Sequence, residues 1–486
     1  MVKTVTKHQV FSNLFWRFLE RTGAQLVSFI VSIILARLLL PEDYGTIALV
    51  MVFISILQVF VDSGLGNALI QKKDADDIDF STVFFTNIVF CIVIYILLFF
   101  FAPVISRFYG RSSLASVIRV LGLTVVISGV KNIQQAYVSK NFLFRKFFFS
   151  SFISTGIAAI VGIVMAINGF GIWSLIIQQI CNLSIATIIL WSTVGWHPVF
   201  NFSFHRLSSL LSFGWKLLVA ALFATFYEKI GQLIIGKKYS THDLAFYNRG
   251  ESIPSLFVQN FDSSFNSVLL PALSVEQDNK SNLKSITRRS IQIGTYIISP
   301  MMIGLFCIAN TFVEVLLTDK WISCVFYLRL FCVCYLFRPI FTASLNLFNA
   351  TGRSDLYLKV EVLKKITSFT LLFMSMWISV KAIAFSILLS SFLEIIYDVW
   401  PCRKLVNYSF MELFCDVAPN IVMSLVMGLG IYTLGSLHID IVIVFFLLIL
   451  LGVASYILLS FISHNVSYCY LYDIIKAYFQ KKKEYS

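Results

Sequence analysis

The chain has 486 residues, of which 58% are hydrophobic and only 13% are charged. A soluble domain usually carries about 25% charged residues, so this chain has too little polar material to cover a water-soluble core, which excludes a soluble enzyme. The net charge of +13 would suggest nucleic-acid binding in a soluble protein. Here the cations concentrate in short loops between apolar runs, which is typical of membrane topology, so no nucleic-acid partner is predicted.

The apolar runs predict an all-α polytopic membrane protein. Crossing about 30 Å of hydrocarbon takes about 20 apolar residues in a helix, and by this measure the chain holds about fourteen transmembrane helices. The predicted spans cover residues 14–38, 45–62, 81–106, 114–137, 147–166, 171–193, 212–235, 245–268, 290–316, 324–348, 357–379, 382–400, 416–436 and 440–462. No cleavable signal peptide is evident, so we expect the first run to remain as a span.

The loops between these spans alternate in their content of Lys and Arg. The richer side includes Lys72, Lys140, Arg206, Lys284, Arg288 and Lys404. The poorer side has Arg107, Arg111, Lys237, Lys238, Lys320 and Lys381. Cytoplasmic loops are enriched in Lys and Arg, so both termini are predicted to be cytoplasmic, which requires an even number of spans.

An internal repeat divides the chain. At a constant shift of 200 residues, Arg37 falls on Lys237, Asp43 on Asp243 and Asp62 on Asp262. A shift of 210 brings Arg119 onto Arg329. Six predicted spans separate the copies, so the repeat has parallel topology, a transporter plan in which the substrate site lies between the halves. We therefore predict two parallel six-helix lobes, 1–200 and 201–404. Residues 405–486 hold a C-terminal helix pair, read as peripheral packing, and a basic cytoplasmic tail.

Ionisable side chains within the predicted spans are the candidate site residues, because a charge in hydrocarbon is costly and usually faces a cavity or a partner. The candidate substrate-binding residues are Arg17, Arg21, Arg119, Lys131, Lys229, Arg249, Arg329 and Arg338. The candidate coupling or ion-pair residues are Glu20, Asp62, Glu228 and Asp262. The cations outnumber the carboxylates even with Glu251 included, so a central cavity is expected to be cationic and to suit a diphosphate or an anionic sugar.

Structural alternatives stay open for several of these groups. The cluster of Arg17, Glu20 and Arg21 on one helix face is equally compatible with an interfacial ion cluster that anchors the helix. Glu228 and Lys229 diverge by about 100° on their helix, so each alternatively pairs with a different neighbouring helix.

Two further groups have structural alternatives of the same kind. Arg338 precedes Pro339, which predicts a kink, and its alternative to substrate contact is a salt bridge with Glu228 or Glu251. For Asp62 and Asp262 a shared structural task, such as capping a loop amide or pairing with Arg17 or Arg21, is favoured over proton coupling.

Motifs for enzymatic chemistry are missing from the sequence. No phosphate-binding loop, HExxH or GxSxG motif occurs. The nine cysteines are dispersed without zinc-type spacing, and the six histidines lie near loops or span ends. The sequence therefore predicts no cofactor, no metal site, no catalytic residue and no enzymatic activity.

A family resemblance rests on the N-terminal quarter of the chain. The stretch Leu35–Gly45, LARLLLPEDYG, is followed by Asp62–Leu65, DSGL, and by Ala68–Lys73, ALIQKK. This pattern resembles the polysaccharide-exporter (Wzx-type) branch of the multidrug/oligosaccharidyl-lipid/polysaccharide flippase superfamily, and within it the colanic-acid-type exporters, often labelled lipopolysaccharide biosynthesis proteins. Residues 215–248 are also typical of this branch, whereas spans 9 to 14 fit only by hydropathy.

The resemblance implies a flippase of the bacterial inner membrane. Such a protein would move undecaprenyl-diphosphate-linked oligosaccharide repeat units to the outer leaflet by alternating access, for assembly of O-antigen, capsule or exopolysaccharide. A polysaccharide polymerase and chain-length proteins are implied partners. In this reading Arg17 and Arg21 receive the diphosphate at the cytoplasmic mouth, while Lys131, Lys229 and Arg338 hold the diphosphate or the glycan at mid-depth.

Two other functions stay open. A small-molecule or drug antiporter of the same superfamily predicts that carboxylates dominate the cavity, and a membrane glycan polymerase predicts a large outer loop. The resemblance also implies coupling to an ion gradient, but the residues show no convincing ion site.

Overall fold

The computed structural model describes residues 7–62, 65–72, 74–434, 441–473 and 476, and it leaves the side chains of residues 7–22, 67, 209 and 213 undescribed. The described residues form α-helices and one short 3-10 helix, Asp319–Trp321, with no β-strand among them. The helices are α1 (Lys7–Leu38), α2 (Pro41–Asp62), α3 (Leu65–Gln71), α4 (Asp77–Tyr109), α5 (Ser113–Lys140), α6 (Phe144–Ile167), α7 (Ile172–Thr193), α8 (Phe204–Lys238), α9 (Thr241–Val275), α10 (Lys280–Cys307), α11 (Ala309–Leu316), α12 (Cys324–Leu336), α13 (Arg338–Ala350), α14 (Ser354–Ser375), α15 (Val380–Val406), α16 (Phe410–Leu434) and α17 (Ile441–Ile462).

These helices confirm the predicted fold class, an all-α multi-pass membrane protein. Eleven helical segments in the described part are long and apolar enough to cross a membrane, and a shorter apolar segment, Gly23–Leu38, lies in α1. The predicted eighth and eleventh spans correspond to α9 and α14, which do not meet that measure. The predicted first span corresponds to α1, of which only the apolar segment Gly23–Leu38 is described with its side chains. The count of fourteen spans therefore stays a prediction.

The chain forms two compact units, Met1–Ala245 and Phe246–Ser486, here called unit 1 and unit 2. Within unit 1, α8 packs against α2, α3 and α4. Within unit 2, α10 packs against α12, α13 and α16, and α14 packs against α15. The predicted division into lobes 1–200 and 201–404 with a terminal segment 405–486 stays a prediction.

The first turns of α2 and α9 match at the shift of 200 residues that relates the two copies of the sequence repeat. The matching boundaries are the end of α1 at Leu38 with that of α8 at Lys238, and the start of α2 at Pro41 with that of α9 at Thr241. The carboxylate of Asp43 accepts a hydrogen bond from the backbone amide of Leu40 at 3.3 Å, and Asp243 accepts from the amide of Ser240 at 3.3 Å. A first-turn carboxylate satisfies an amide that the helix leaves without a partner, which explains the repeated aspartate.

The tenth predicted span is broken where its proline predicts a kink. The helix α12 ends at Leu336 and α13 begins at Arg338, with Pro339 in the first turn. Proline has no amide hydrogen to donate, and the first turn of a helix is where that loss costs least. The break places Arg338 at the junction of two helices.

A buried carboxylate fixes the start of α4 against the start of α8 in unit 1. Asp79 is fully buried, and its oxygens lie 2.6 Å from Lys72 Nζ and 3.3 Å from a terminal nitrogen of Arg206. Asp76 caps α4 and also accepts a hydrogen bond from Arg206, which lowers the pKa of Asp76. Both cations lie on the predicted cytoplasmic side, so the charges that indicate topology also hold helices together.

Gly45 on α2 provides a test of helix packing in unit 1. A Cβ at Gly45 would lie 1.7 Å from the carbonyl oxygen of Thr241, so Gly45→Ala forces two backbones apart at an expected cost of about 1–3 kcal/mol. Gly156 on α6 is a matched control, because no atom lies within 4 Å of a Cβ there. We expect Gly45→Ala to lower the melting temperature of the detergent-purified protein by several degrees. Gly156→Ala should leave it unchanged or slightly higher, since alanine is the better helix former; equal melting temperatures would contradict this packing.

Candidate substrate-binding cavity

Unit 1 contains a polar cavity of about 590 Å³ lined by α2, α5, α7 and α8. Its polar lining consists of Ser55, Gln58, Asp62, Thr124, Ser128, Lys131, Gln179, Asn182, Thr225, Glu228 and Lys229. Four apolar side chains complete it, namely Met51, Ile54, Val59 and Leu183. Four helices that are each apolar enough to span a membrane thus enclose a polar interior.

Helical periodicity explains why these side chains share the cavity. On α5, Thr124, Ser128 and Lys131 follow a spacing of four and three residues, which places them on one face. Met51, Ser55 and Asp62 form a similar stripe on α2. Each helix therefore presents one polar stripe to the cavity and keeps apolar side chains for packing and for lipid.

Lys131 and Lys229, two of the predicted substrate-binding residues, line this cavity together with the predicted carboxylates Asp62 and Glu228. The described lining thus holds two cations and two carboxylates. The described lining therefore shows no excess of positive charge, and the expected cationic central cavity stays a prediction. The sequence indicates the depth of a charge in a span, but it does not show towards which neighbour the side chain points.

Three predicted residues of α1 lie outside the described side chains. Only the backbone of Arg17, Glu20 and Arg21 is described, as part of α1. The proposed cationic mouth that these residues would form stays a prediction.

Two predicted substrate-binding arginines make the same local contact, each in its own unit. In unit 1, Arg119 Nε donates a hydrogen bond to the carbonyl oxygen of Phe99 at 3.2 Å, and its guanidinium lies 4.3 Å from the centroid of the Phe99 ring. In unit 2, Arg329 Nε donates to the carbonyl oxygen of Phe306 at 3.3 Å, with the guanidinium 5.5 Å from that ring. A cation over an aromatic face is attracted by the ring electrons, so these contacts favour a structural role for both arginines.

Arg338 forms an internal salt bridge in unit 2, but with Asp262 and not with the expected Glu228 or Glu251. Arg338 Nε lies 2.6 Å from Asp262 Oδ2, and Thr342 Oγ1 donates to Asp262 Oδ1 at 2.6 Å. Arg249, another predicted substrate-binding residue, places its guanidinium 5.5 Å from the centroid of the Trp321 ring.

The two repeated aspartates have related partners. In unit 1 the side-chain amide of Asn132 donates to Asp62 Oδ1 at 2.9 Å. Thr342, which donates to Asp262 in unit 2, lies 210 residues after Asn132, the same shift that relates Arg119 to Arg329. Each aspartate therefore ties two helices of its own unit together, which supports a shared structural task.

The sequence analysis did not predict the buried ion pair between Lys364 and Asp398 in unit 2. Lys364 Nζ on α14 lies 2.7 Å from Asp398 Oδ2 on α15, with side-chain exposures of 7% and 0%. Glu361 lies 3.8 Å from the same ammonium group. The available signal was an aspartate inside the apolar run 382–400 beside a lysine in the preceding predicted span.

A second ionic contact joins α10 to α16. Arg288 donates from Nε and a terminal nitrogen to the two oxygens of Asp416, both at 2.8 Å, and Gln292 donates to Asp416 at 2.7 Å. The predicted C-terminal helix pair therefore carries a buried carboxylate that packs its first helix against α10.

Comparison with known proteins places this architecture in a family. Residues 34–326 match the sequence profile described as "Polysaccharide biosynthesis protein". The chain belongs to this family. The resemblance to polysaccharide exporters that the N-terminal motifs indicate is thereby confirmed.

Three curated relatives of this chain are named for succinoglycan, teichuronic acid or lipopolysaccharide biosynthesis. The succinoglycan biosynthesis transport protein ExoT of Rhizobium meliloti (strain 1021) is 28% identical over 326 residues, 66% of this chain and 65% of ExoT. The teichuronic acid biosynthesis protein TuaB of Bacillus subtilis (strain 168) is 26% identical over 62% of each chain. The lipopolysaccharide biosynthesis protein WzxC of Escherichia coli (strain K12) is 23% identical over 68% of each chain. The matched segment spans just under two thirds of the length of ExoT and TuaB.

Solved structures share the fold. The lipid II flippase MurJ, in an inward closed conformation, aligns with a TM-score of 0.73 and 14% identity over 93% of this chain and 99% of MurJ. An inward-facing multidrug resistance MATE family transporter of the MOP superfamily aligns with a TM-score of 0.62 and 14% identity over 79% of this chain and 95% of the transporter. At this identity the likeness concerns the fold alone, so the residues of the cavity must be interpreted from their own chemistry.

The Lys364–Asp398 pair allows a test of how unit 2 is held together. Lys364→Met leaves a buried carboxylate unpaired, and we expect a cost of about 3–5 kcal/mol, seen as a large drop in melting temperature. Replacing both partners, in Lys364→Met/Asp398→Leu, should recover most of the loss. Asp355→Asn is the matched control, because the Arg353–Asp355 pair is about half exposed and surface pairs contribute little. A single variant as stable as this control would contradict the buried pair.

Proposed function

We propose that this protein is a flippase that moves lipid-linked oligosaccharide repeat units across the inner membrane for surface polysaccharide assembly. Its substrate would be an undecaprenyl-diphosphate-linked oligosaccharide for O-antigen, capsule or exopolysaccharide, carried by alternating access. The observation that carries the proposal is the polar cavity of about 590 Å³ among four apolar helices.

The physical task of a flippase explains such a cavity. A glycan carries many hydroxyl groups, and moving each from water to hydrocarbon without a hydrogen bond costs several kcal/mol. A lining of hydroxyl, amide and charged groups replaces the lost water, while the lipid chain stays in the bilayer outside. The names of the relatives, which include a transport protein for succinoglycan, support a glycan as the cargo.

Orientation and partners form part of the same proposal. The Lys- and Arg-rich loops favour cytoplasmic termini in the inner membrane. A flipped repeat unit must next be joined to others, so a polysaccharide polymerase and chain-length proteins are the expected functional partners. No catalytic step is assigned to this chain.

Within this proposal, Lys131 and Lys229 are the predicted cations that contact substrate. Arg119, Arg249, Arg329 and Arg338 support the helices through the contacts described above. Arg17 and Arg21 would receive the diphosphate at the cytoplasmic mouth, as the sequence predicts.

A small-molecule antiporter is the second candidate, because one observation favours it. Asp62 and Glu228 face the cavity, and deep carboxylates are the groups that a cationic drug would need. Uptake of ethidium by proteoliposomes, together with no movement of lipid-linked oligosaccharide, would establish this function in place of the flippase.

Lys229 on α8 allows a direct test of the cavity in transport. The substrate is the lipid-linked oligosaccharide extracted from a strain that lacks its flippase, and the assay follows its appearance on the opposite face of proteoliposomes by cleavage with an impermeant glycosidase. We expect Lys229→Gln to slow translocation about tenfold through loss of a charge-assisted hydrogen bond. Lys216→Gln, on an exposed position of the same helix, should stay within about twofold of the wild type. Equal rates for the two variants would remove Lys229 from the site.

A further inference from the structure

The cavity of unit 1 is poorly suited to a diphosphate. A diphosphate is best bound by arginine forks or by an excess of cations, yet the described lining holds no arginine, and its two lysines are equalled in number by two carboxylates. An ionised carboxylate accepts hydrogen bonds but cannot donate them. Asp62 and Glu228 would therefore repel a phosphate oxygen. The composition of the described lining therefore selects against the most highly charged part of the proposed substrate.

Two amides on α7 have hydrogen-bonding capacity to spare. Asn182 makes no hydrogen bond to another residue in the part of the chain that the structure describes. The amide nitrogen of Gln179 has only the thioether sulfur of Met51 at 3.2 Å, which is a weak acceptor. The two residues are three positions apart, so both amides lie on the face of α7 that lines the cavity.

An amide group matches a sugar hydroxyl, because both groups donate and accept hydrogen bonds. Ser128 and Thr225 add hydroxyl groups to the same lining. Met51 and Leu183 offer apolar surface for the carbon–hydrogen face of a sugar ring. Amides and hydroxyls beside an apolar surface thus match a glycan.

The charged groups narrow the class of glycan further. Glu228 and Lys229 are neighbours on α8, and neither forms a salt bridge with a described residue. Glu228 accepts from hydroxyl or amino groups, and Lys229 donates to hydroxyl or carboxyl groups. An acceptor and a donor with near-zero net charge suit a sugar that is neutral or carries both signs of charge.

We infer that this cavity binds the glycan of the cargo, as a neutral or zwitterionic oligosaccharide, and leaves the diphosphate outside it. The inference rests on the proposed function, since it specifies which part of the flipped lipid enters unit 1. Asn182 and Gln179 are the specificity-determining residues, and Glu228 and Lys229 select the charge of the sugar.

Binding to the full chain in nanodiscs tests the inference. The probes are the water-soluble oligosaccharide released by mild acid from the extracted lipid-linked oligosaccharide, and inorganic pyrophosphate. We expect the oligosaccharide to bind, and a tenfold excess of pyrophosphate to leave its binding unchanged. Asn182→Ala should weaken oligosaccharide binding about tenfold through loss of its hydrogen bonds.

Gln178→Ala is the matched control, since Gln178 is an amide on the same helix that packs against Gly162 and does not line the cavity. This variant should bind the oligosaccharide like the wild type. The isosteric Asn182→Asp, which keeps the volume but loses the amide donor, replaces Asn182→Ala if the latter does not fold. Competition by pyrophosphate, or full binding by the Asn182 variants, would overturn the inference.

The same preparations separate this inference from the proposed function. Translocation of lipid-linked oligosaccharide without binding of the free oligosaccharide would overturn the glycan site and leave the flippase standing. Binding of the free oligosaccharide without any translocation would support the glycan site and overturn the flippase.

Discussion

The absence of water from hydrocarbon is the constraint on which this structure depends. A charge or an unpaired polar group within a bilayer is costly, and several charges of the helices are satisfied within their own unit. Asp262 holds Arg338, Asp398 holds Lys364, and the carbonyl of Phe99 holds Arg119. The cavity of unit 1 differs, because amides and charges there retain capacity for a ligand. The functional site is therefore expected where polar side chains of a cavity lining retain hydrogen-bonding capacity for a ligand.

The two copies of the internal repeat carry different side chains at one equivalent position. Asp62 and Asp262 both accept from side chains related by the shift of 210 residues, Asn132 and Thr342. Ser128 lies at the position that the shift of 210 equates with Arg338. Unit 2 therefore places an arginine against its aspartate, whereas unit 1 places a small hydroxyl in the cavity wall. This exchange leaves room in unit 1 for a ligand.

The features predicted from sequence are those with a local cause. Hydropathy predicted the helices, and Pro339 predicted the break between α12 and α13. Lys131 and Lys229 were predicted as cavity residues from their depth alone. Asn182 and Gln179 were not predicted as cavity residues, because a neutral amide in an apolar run carries no charge and forms no recognisable periodic pattern. The Lys364–Asp398 pair depends on which helices touch, and the sequence does not show those contacts.

Under the proposed function, this chain carries a lipid-linked oligosaccharide from the cytoplasmic to the outer leaflet. Depleting the protein from its native cells and labelling the accumulated lipid-linked repeat units on intact spheroplasts with an impermeant periodate reagent tests it most directly. Because the repeat units would stay on the cytoplasmic leaflet without the flippase, we expect them to be protected from the reagent and to become labelled only after the membrane is opened. Accumulation of repeat units that are labelled on intact spheroplasts would contradict it.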